Sequence, residues 1–540
     1  NASSFKVRPD ANVETLLKQL PGVEIDTDGK VTVNGKEVNQ ILVNGKPFFD
    51  KDGKIALQSL PSDIIKKVQI TDTKSKKEEL TKQAASSNNA SINLTIDEDK
   101  NKGFFGRIMG GYGTDNRYES SLLINYFKNK QKISVLASSN NINSTGFSMD
   151  EVFDNMGGGR NVNMSFNSDG SYGIGSMRFG GGKGITQSNM VGVNYADQWV
   201  KNLDSNGSYF FTNSNSENKN TTKQVNFLPT GNFITESDAV TNGESLGHNF
   251  NFNFEFKIDS TSTIMVSPKF TNGKNTYNSA STESSLDANH QLLNKNNSVN
   301  REDGESNNFK NVINYNKSFK RKGRFLNVNF ENENSVGNTD VLNKSITKFY
   351  QGSEPYDIRN QLRETEILKD VYNSEIEYLE PLKDSLKLKF GVYARTEKTS
   401  DDREAYDYDA SSDTYTLKNA SLTSYLTSNT NLVTPKTGFA IDKKKYSFNA
   451  SVGTTIAQFN NYSLYLSKTT NLNKDYVFPF ANLFANYKFT KSKSIYGRYD
   501  YKVGFPTASQ VLPVENLANP LNTFMGNPDL DLIKNHSVFF

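Results

Sequence analysis

Residues His248–Lys257 read HNFNFNFEFK. In an extended chain successive side chains point to opposite sides, so Phe250, Phe252, Phe254 and Phe256 share one face while Asn249, Asn251, Asn253 and Glu255 share the other. Such a strand fits between two different solvents, one greasy and one aqueous. The same alternation returns in IYGRYDYKV (495–503), LKLKFGV (386–392) and FLNVNF (325–330).

The connections between such strands alternate too. Short, often basic turns stand near Lys128-Asn129-Lys130, Val200-Lys201-Asn202, Asp259-Ser260-Thr261, Lys320-Arg321-Lys322-Gly323, Pro381-Leu382-Lys383-Asp384, Asp442-Lys443-Lys444-Lys445 and Thr490-Lys491-Ser492-Lys493. Between most of them lie stretches rich in Asn, Ser, Thr, Asp and Gly, such as Thr212–Ser245 and Thr271–Asn308, which read as long polar loops. Neighbouring turns lie roughly 50–70 residues apart, and short turns on one side with long loops on the other mark an outer-membrane β-barrel. A soluble β-sandwich or repeat adhesin also alternates, but it would turn every ~8–12 residues and show no such asymmetry. Seven short turns imply fifteen strands, with a sixteenth beginning near Asp531.

Composition agrees. A soluble chain of 540 residues would be expected to split into several domains. Basic and acidic side chains nearly balance, 62 against 59, which argues against nucleic acid as a main partner. There is no cysteine, so disulfide and thiolate chemistry are excluded. Hydrophobic residues make up 35%, yet 36 are Phe and 25 are Tyr, an odd recipe for a solvent-excluded core. A barrel with a polar interior explains it, since its lipid face needs only an apolar band about 25 Å tall. No stretch approaches the ~18–20 apolar residues of a membrane helix, and no signal peptide opens the chain. Starting at Asn1 without Met, the sequence is expected to be a processed or truncated form.

The front of the chain differs. Residues 31–49, VTVNGKEVNQILVNGKPFF, contain Val-Asn-Gly-Lys twice. Asn-Gly between β-formers is the strongest short-range hairpin signal, because both turn residues take φ > 0. Before it, Asp10 and Asn12 are good N-caps, and Val13, Leu16, Leu17 and Leu20 form one helical face that Pro21-Gly22 ends. A second helical piece is expected over Ile55–Leu60, strands around Val68-Gln69-Ile70 and Ala90–Ile96, and a charged, mobile run over Lys74–Lys82. Residues 1–98 therefore read as a compact α+β domain with turn glycines at Gly22, Gly35 and Gly45, and pattern alone is equally consistent with a small independent binding domain. Residues 99–102 read as a linker and 103–540 as the barrel.

Taken together, the two parts resemble the TonB-dependent receptor superfamily, specifically its Bacteroidota outer-membrane barrel family. The front carries the resemblance in Val13-Glu14-Thr15-Leu16-Leu17, Leu20-Pro21-Gly22-Val23, Ile41-Leu42-Val43-Asn44-Gly45-Lys46 with Phe48-Phe49, and Leu60-Pro61 through Ile64-Ile65-Lys66-Lys67-Val68. These are similar to the family's plug, Ile92-Asn93-Leu94 to the strand that ends it, and Gly103-Phe104-Phe105-Gly106 with Gly110-Gly111-Tyr112-Gly113 to the first barrel strand. Phe505-Pro506-Thr507-Ala508-Ser509-Gln510, Asn519-Pro520-Leu521-Asn522 and Gly526-Asn527-Pro528-Asp529-Leu530 are similar to a late-barrel loop. The resemblance implies an all-β transmembrane antiparallel β-barrel of the 22-stranded type, with about 15–16 strands in this chain, incomplete at the C-terminus, and the plug inside its lumen. Phe539-Phe540 is also compatible with the aromatic end of a complete smaller barrel, and active coupling is not read from these residues, which show no energy-coupling box.

Catalysis finds little footing. His248, His290 and His536 are scattered, with no zincin spacing and no Gly-x-Ser-x-Gly elbow. Gly180-Gly181-Gly182-Lys183-Gly184 lacks the Ser or Thr of a phosphate loop, and like Gly157-Gly158-Gly159 it reads as a flexible extracellular loop. Asp401, Asp402, Glu404, Asp407, Asp409 and Asp413 offer hard oxygen ligands without EF-hand spacing, so a solvated loop is the expectation over Ca²⁺. The interleaved Tyr406 and Tyr408 could stack on a sugar or peptide. No enzyme activity, cofactor or metal is expected. The functional expectation is ligand capture and energy-coupled import across the bacterial outer membrane. The alternative is a non-transporting barrel subunit of a larger assembly. The expected partners are outer-membrane lipid, a periplasmic energy-coupling protein, and a surface lipoprotein or other outer-membrane complex subunits.

Overall fold

The computed structural model describes all residues except 1, 9–10, 27–29, 48–56, 58–59, 75–88, 145–163, 167–171, 175–176, 180–183, 228–230, 351–354, 384, 444, 491–492 and 517–523. Two of the expectations above, the charged run over Lys74–Lys82 beyond Lys74 and the triple glycine at 157–159, lie outside the described residues. So do Gly180–Lys183, Asp10, and the Ile55–Leu60 helix apart from the buried Leu57 and Leu60.

In the front unit, Asn12 caps the helix Val13–Lys18 by accepting the Thr15 N–H at 3.0 Å. The helix buries Val13, Leu16 and Leu17 against a sheet ordered 23–25, 31–33, 36–43, 90–96, 65–72. Strand Lys36–Val43 runs parallel to Ala90–Ile96, and the other neighbours are antiparallel. Both Asn-Gly pairs form two-residue turns with φ > 0 throughout: Asn34 50° and Gly35 75°, Asn44 53° and Gly45 77°. The second turn is welded to the sheet, since Asn44 Oδ1 accepts the Ile96 N–H at 2.9 Å and Asn93 Oδ1 accepts the Gly45 N–H at 2.8 Å. The core is aliphatic, built on Leu16, Leu17, Val31, Val33, Ile41, Leu60, Ile92 and Leu94.

From Lys102 onward the chain winds into one closed antiparallel barrel. Its wall strands are Lys102–Tyr112, Tyr118–Lys128, Gln131–Asn140, Ile185–Val200, Leu203–Asn226, Phe233–Asp259, Ser262–Asp287 and Leu292–Ser318, then Phe325–Phe349, Tyr356–Lys383, Leu386–Asp409, Ser424–Asp442, Tyr446–Tyr465, Lys468–Lys488, Ser494–Gly504 and Ile533–Phe539. Among the described residues these make sixteen wall strands, the expected number, and the short Thr414–Lys418 pairs with the upper end of Leu386–Asp409. Each of the seven short turns joins two neighbouring strands.

The register carries the two faces around the wall. Phe250 pairs with Tyr209 and Phe270, Phe270 with Phe309, and Ile376 with Val328 and Val392. These side chains stand on the outer, lipid-facing surface; Phe252 is 44% exposed and Ile376 52%. The opposite face is polar and buried: Asn125, Asn194, Asn249, Asn316 and Asn327 all lie below 10% exposure. Asn–Asn bonds cross neighbouring strands there, Asn194 to Asn206 at 2.9 Å and Asn327 to Asn316 at 3.0 Å.

One expectation is corrected. Thr212–Asn226, Phe233–Ser245, Thr271–Asp287 and Leu292–Asn308 are strand, not loop. Strands of 27 and 28 residues, Phe233–Asp259 and Tyr356–Lys383, far exceed the ~9–11 needed to cross a bilayer. The polar parts stay β because each backbone pairs on both sides, and polar residues on both faces fit where both faces meet water. Asymmetry of the connections thus becomes asymmetry of strand overhang.

Candidate functional site

The lumen is the candidate site, because the plug enters it. Phe127 points inward from Tyr118–Lys128 and joins the plug's hydrophobic cluster, and its ring lies where a side chain on the facing Gly103 would have to be. A second attachment is ionic. Asp72, at the end of the plug strand Ile65–Asp72, takes Lys36 of the first Val-Asn-Gly-Lys at 2.6 Å and the inward-facing Lys488 of the wall at 3.1 Å. Burial works to raise the Asp72 pKa, but the hydrogen bonds from Lys36 and Lys488 outweigh it and hold the carboxyl below its ordinary value. Among the described residues, an aromatic knob and a bridged carboxylate thus tie the plug to the barrel.

The turn glycines occupy different surroundings. A Cβ on Gly35 or Gly45 would meet nothing within 4 Å, whereas one on Gly22 (φ 77°) would stand 2.3 Å from Asn34 Oδ1. Lys36 is the charge that the doubled motif delivers to the plug–wall contact.

The inner wall carries arginines beside acids two residues away: Arg359 with Asp357 at 3.0 Å and Arg403 with Asp401 at 2.8 and 2.6 Å, together with Arg395–Glu397 and Arg498–Asp500. Positions i and i+2 share a strand face, so each cation has its counter-ion alongside. At the mouth, the connection after Ser494–Gly504 folds inward. Phe505 packs on Phe459, Tyr476 and Phe478 at 5.5, 5.9 and 6.3 Å between ring centres, and Val511, Leu512 and Val514 bury against Leu426 and Phe459. A helical turn, Ala508–Val511, closed by a Thr507/Gln510 capping box, shapes this segment, and Lys474 of the wall donates to the Pro528 and Leu530 carbonyls. The motifs expected as a late-barrel loop therefore form an inner wall of the lumen, a placement that sequence spacing alone does not reveal. Asn519–Asn522 lie outside the described residues.

Tyr406 and Tyr408 are corrected in place. They sit in the upper part of the strand Leu386–Asp409, not in a loop, and face outward. The Tyr406 hydroxyl donates to Glu404, that of Tyr408 to Asp413, and Tyr408 stacks edge-on against Tyr415. The strand's period of two also divides the acidic run, sending Asp401 and Asp407 inward and Asp402 and Glu404 outward. Among the described residues, no group of three or more His, Cys, Asp or Glu is arranged to hold a metal ion. His248 and His536 are strand residues bonded to Tyr209 and Tyr499, and His290 lies in a turn with φ 62°.

Residues 317–538 match the model of the outer membrane protein beta-barrel family. No curated protein matches the chain. Solved structures to which it is similar include the ferric-catecholate import receptor Fiu from E. coli K12 in its open form, at 11% identity and TM-score 0.30, covering 91% of this chain and 82% of that one. The siderophore receptor PiuA from Acinetobacter baumannii follows at 11% identity and TM-score 0.33, covering 92% and 84%. The ferric yersiniabactin uptake receptor FyuA from Yersinia pestis has 10% identity and TM-score 0.25, covering 91% and 83%. The matched residues, 317–538, belong to one closed antiparallel barrel, so this part of the chain is that of an outer-membrane β-barrel, and the wall it helps form meets a front domain with its own aliphatic core.

Proposed function

We propose that this protein captures a solute at the cell surface and imports it when a periplasmic energy-coupling protein displaces the plug. One observation carries the reading: a separately cored domain sits in a polar lumen, tied to the wall by Phe127 and the Asp72–Lys488 pair. A domain with its own aliphatic core can move without unfolding, and a partly exposed ion pair is a tie that costs little to break. The protein acts without catalysis. The test is growth and solute uptake in a strain lacking only this gene, with and without complementation. Loss of uptake of one solute class supports import; normal growth on every nutrient with disturbed envelope assembly would overturn it.

A second reading rests on a different observation. On the outer face, above the lipid-facing band, a groove of about 780 Å³ crosses six strands and exposes Val240, Val299, Ile346 and Ile358. Exposed apolar surface outside the bilayer suits contact with another protein. That favours a subunit of a larger outer-membrane complex, including one with a surface lipoprotein, and predicts stoichiometric co-purification of a partner lost in Val299→Asp and Ile346→Asp variants.

A further inference from the structure

On the lipid-facing side of the wall, a groove of about 590 Å³ crosses the strands Tyr356–Lys383, Leu386–Asp409, Ser424–Asp442 and Tyr446–Tyr465. Register sets its position. Val392 pairs with both Ile376 and Pro435, and Phe390 pairs with Tyr378, so two successive outward rows line it. Pro435 brings no N–H to the ladder, and the pairing of its strand with Tyr446–Tyr465 breaks there, holding at Val433–Ile456 and resuming at Lys436–Gly453. Gly391 and Gly453 leave bare backbone in the lining, and a Cβ on Gly453 would stand 2.3 Å from the Pro435 carbonyl. The sides are apolar, with Ile376, Phe390, Val392 and Val452 all exposed.

The groove adjoins a cluster of cations, and Tyr378 belongs to both. It lines the groove, and its hydroxyl donates at 2.7 Å to Glu380, the next outward position toward the short turn. Glu380 accepts from Arg321 at 2.8 Å and from two nitrogens of Arg324, each at 2.8 Å. Lys320 and Lys322 stand in the same turn, whose ion pairs among the described residues are those of Arg321 and Arg324. Other carboxylates at this end are engaged elsewhere: Glu375 faces the lumen and takes Lys436, Asp259 takes Lys317, and Asp442 lies near Lys387. Asp384 lies outside the described residues. Aromatic rings fix the level of the cluster. Phe319 packs edge-on against Tyr378 at 6.3 Å, and the exposed Tyr446, Tyr487 and Phe489 continue the belt on neighbouring strands. Such a girdle marks where hydrocarbon gives way to headgroups, and the side of the short turns is periplasmic.

We propose that this face holds one phospholipid of the periplasmic leaflet with an anionic headgroup, an acyl chain in the groove and the phosphate on Arg321, Lys320 and Lys322. A lipid carries its two parts in the order the wall presents them, apolar within the hydrocarbon and anionic just beyond the aromatic belt. A planar guanidinium meets two phosphate oxygens at once, and basic side chains beside the interface attract anionic headgroups. An ethanolamine headgroup adds an ammonium, which the lysines repel. The proposal concerns the outer wall and is independent of what the lumen imports.

The experiment is native mass spectrometry of the full chain released from nanodiscs of equal phosphatidylglycerol and phosphatidylethanolamine with matched acyl chains. One phosphatidylglycerol is expected to stay with each chain, preferred at least about tenfold over phosphatidylethanolamine. The double variant Lys320→Gln/Lys322→Gln removes two cations that hold no carboxylate, and it should cut this preference at least about fivefold. Val392→Trp fills the middle of the groove and should lower retention of both lipids while leaving their ratio unchanged. Soluble glycerol phosphate, added as competitor, should leave the bound lipid in place. Each variant is first shown to migrate as a folded, heat-modifiable barrel. Equal retention of the two lipids or of neither by the wild type, an unchanged ratio in the lysine variant, or unchanged retention in Val392→Trp overturns the proposal. So does displacement by glycerol phosphate, which would mean that the cations bind a free phosphate and the groove holds no chain.

Discussion

The plug and the barrel wall are both β-rich, yet they are inverted with respect to each other. In the plug, alternation sends Val31, Val33, Ile41 and Leu94 into a dry aliphatic centre. In the wall, alternation sends Phe250, Phe252 and Phe256 outward, and asparagine and serine inward. The same period of two thus encodes opposite solvents, and the side-chain type tells which. Aliphatic faces mark a core that water must not reach, whereas aromatic faces opposite asparagine mark a wall standing between lipid and water.

The largest effect expected from this comparison is in the plug core. Ile92 is fully buried, and Ile92→Ala should destabilise the plug by about 2–5 kcal/mol. Phe252→Ala removes a larger side chain from a position that faces lipid, and it should leave the barrel's heat-modifiable migration unchanged. Hydrogen exchange of the two regions in each variant measures the contrast. Equal loss of protection in both would show that plug and wall fold as one unit.

Next come the turns. Gly35→Val and Gly45→Val meet open space, so each costs only the left-handed backbone, about 1–2 kcal/mol, a loosening of the plug. Gly22→Val adds a collision with Asn34 and should be the worst of the three. Small-solute permeability of proteoliposomes ranks them; a leak as large for Gly35→Val as for Gly22→Val would break the ordering.

Much of this architecture was legible in the residues. HNFNFNFEFK and its kin show the two solvents, the short basic turns show the strand count, and Asn34-Gly35 and Asn44-Gly45 show their hairpins. Three things were not legible. The polar overhangs read as loops because their strands are held by pairing with neighbours, and a sequence shows no pairing. The acidic run at 401–413 read as one cluster because the linear order hides which side of a sheet each residue takes. The inward fold of 505–516 was invisible because it depends on Phe459, Leu426 and Tyr476 reaching the same spot from three strands.

The smaller effect concerns the tie between the two regions. Asp72 joins Lys36 and Lys488, all three partly exposed, so the pair contributes at most about 1 kcal/mol and neither domain's fold depends on it. Asp72→Asn should therefore leave plug exchange protection intact while raising leak through the lumen. Lys488→Ala should do the same, and Lys36→Ala less so because it touches only the plug.

The pH dependence of that leak follows from the sign of the shift. The Asp72 carboxyl has its pKa lowered in the folded protein relative to an unfolded value of about 3.9, so the tie is present in full above that value. It is lost only as pH falls through the depressed folded value. Wild-type permeability should be flat from about pH 5 to 8 and rise only in stronger acid. Asp72→Asn should sit at the higher level throughout. A wild-type leak that rises between pH 7 and 5 would mean that some other group holds the plug, and that the Asp72 bridge is incidental to closure.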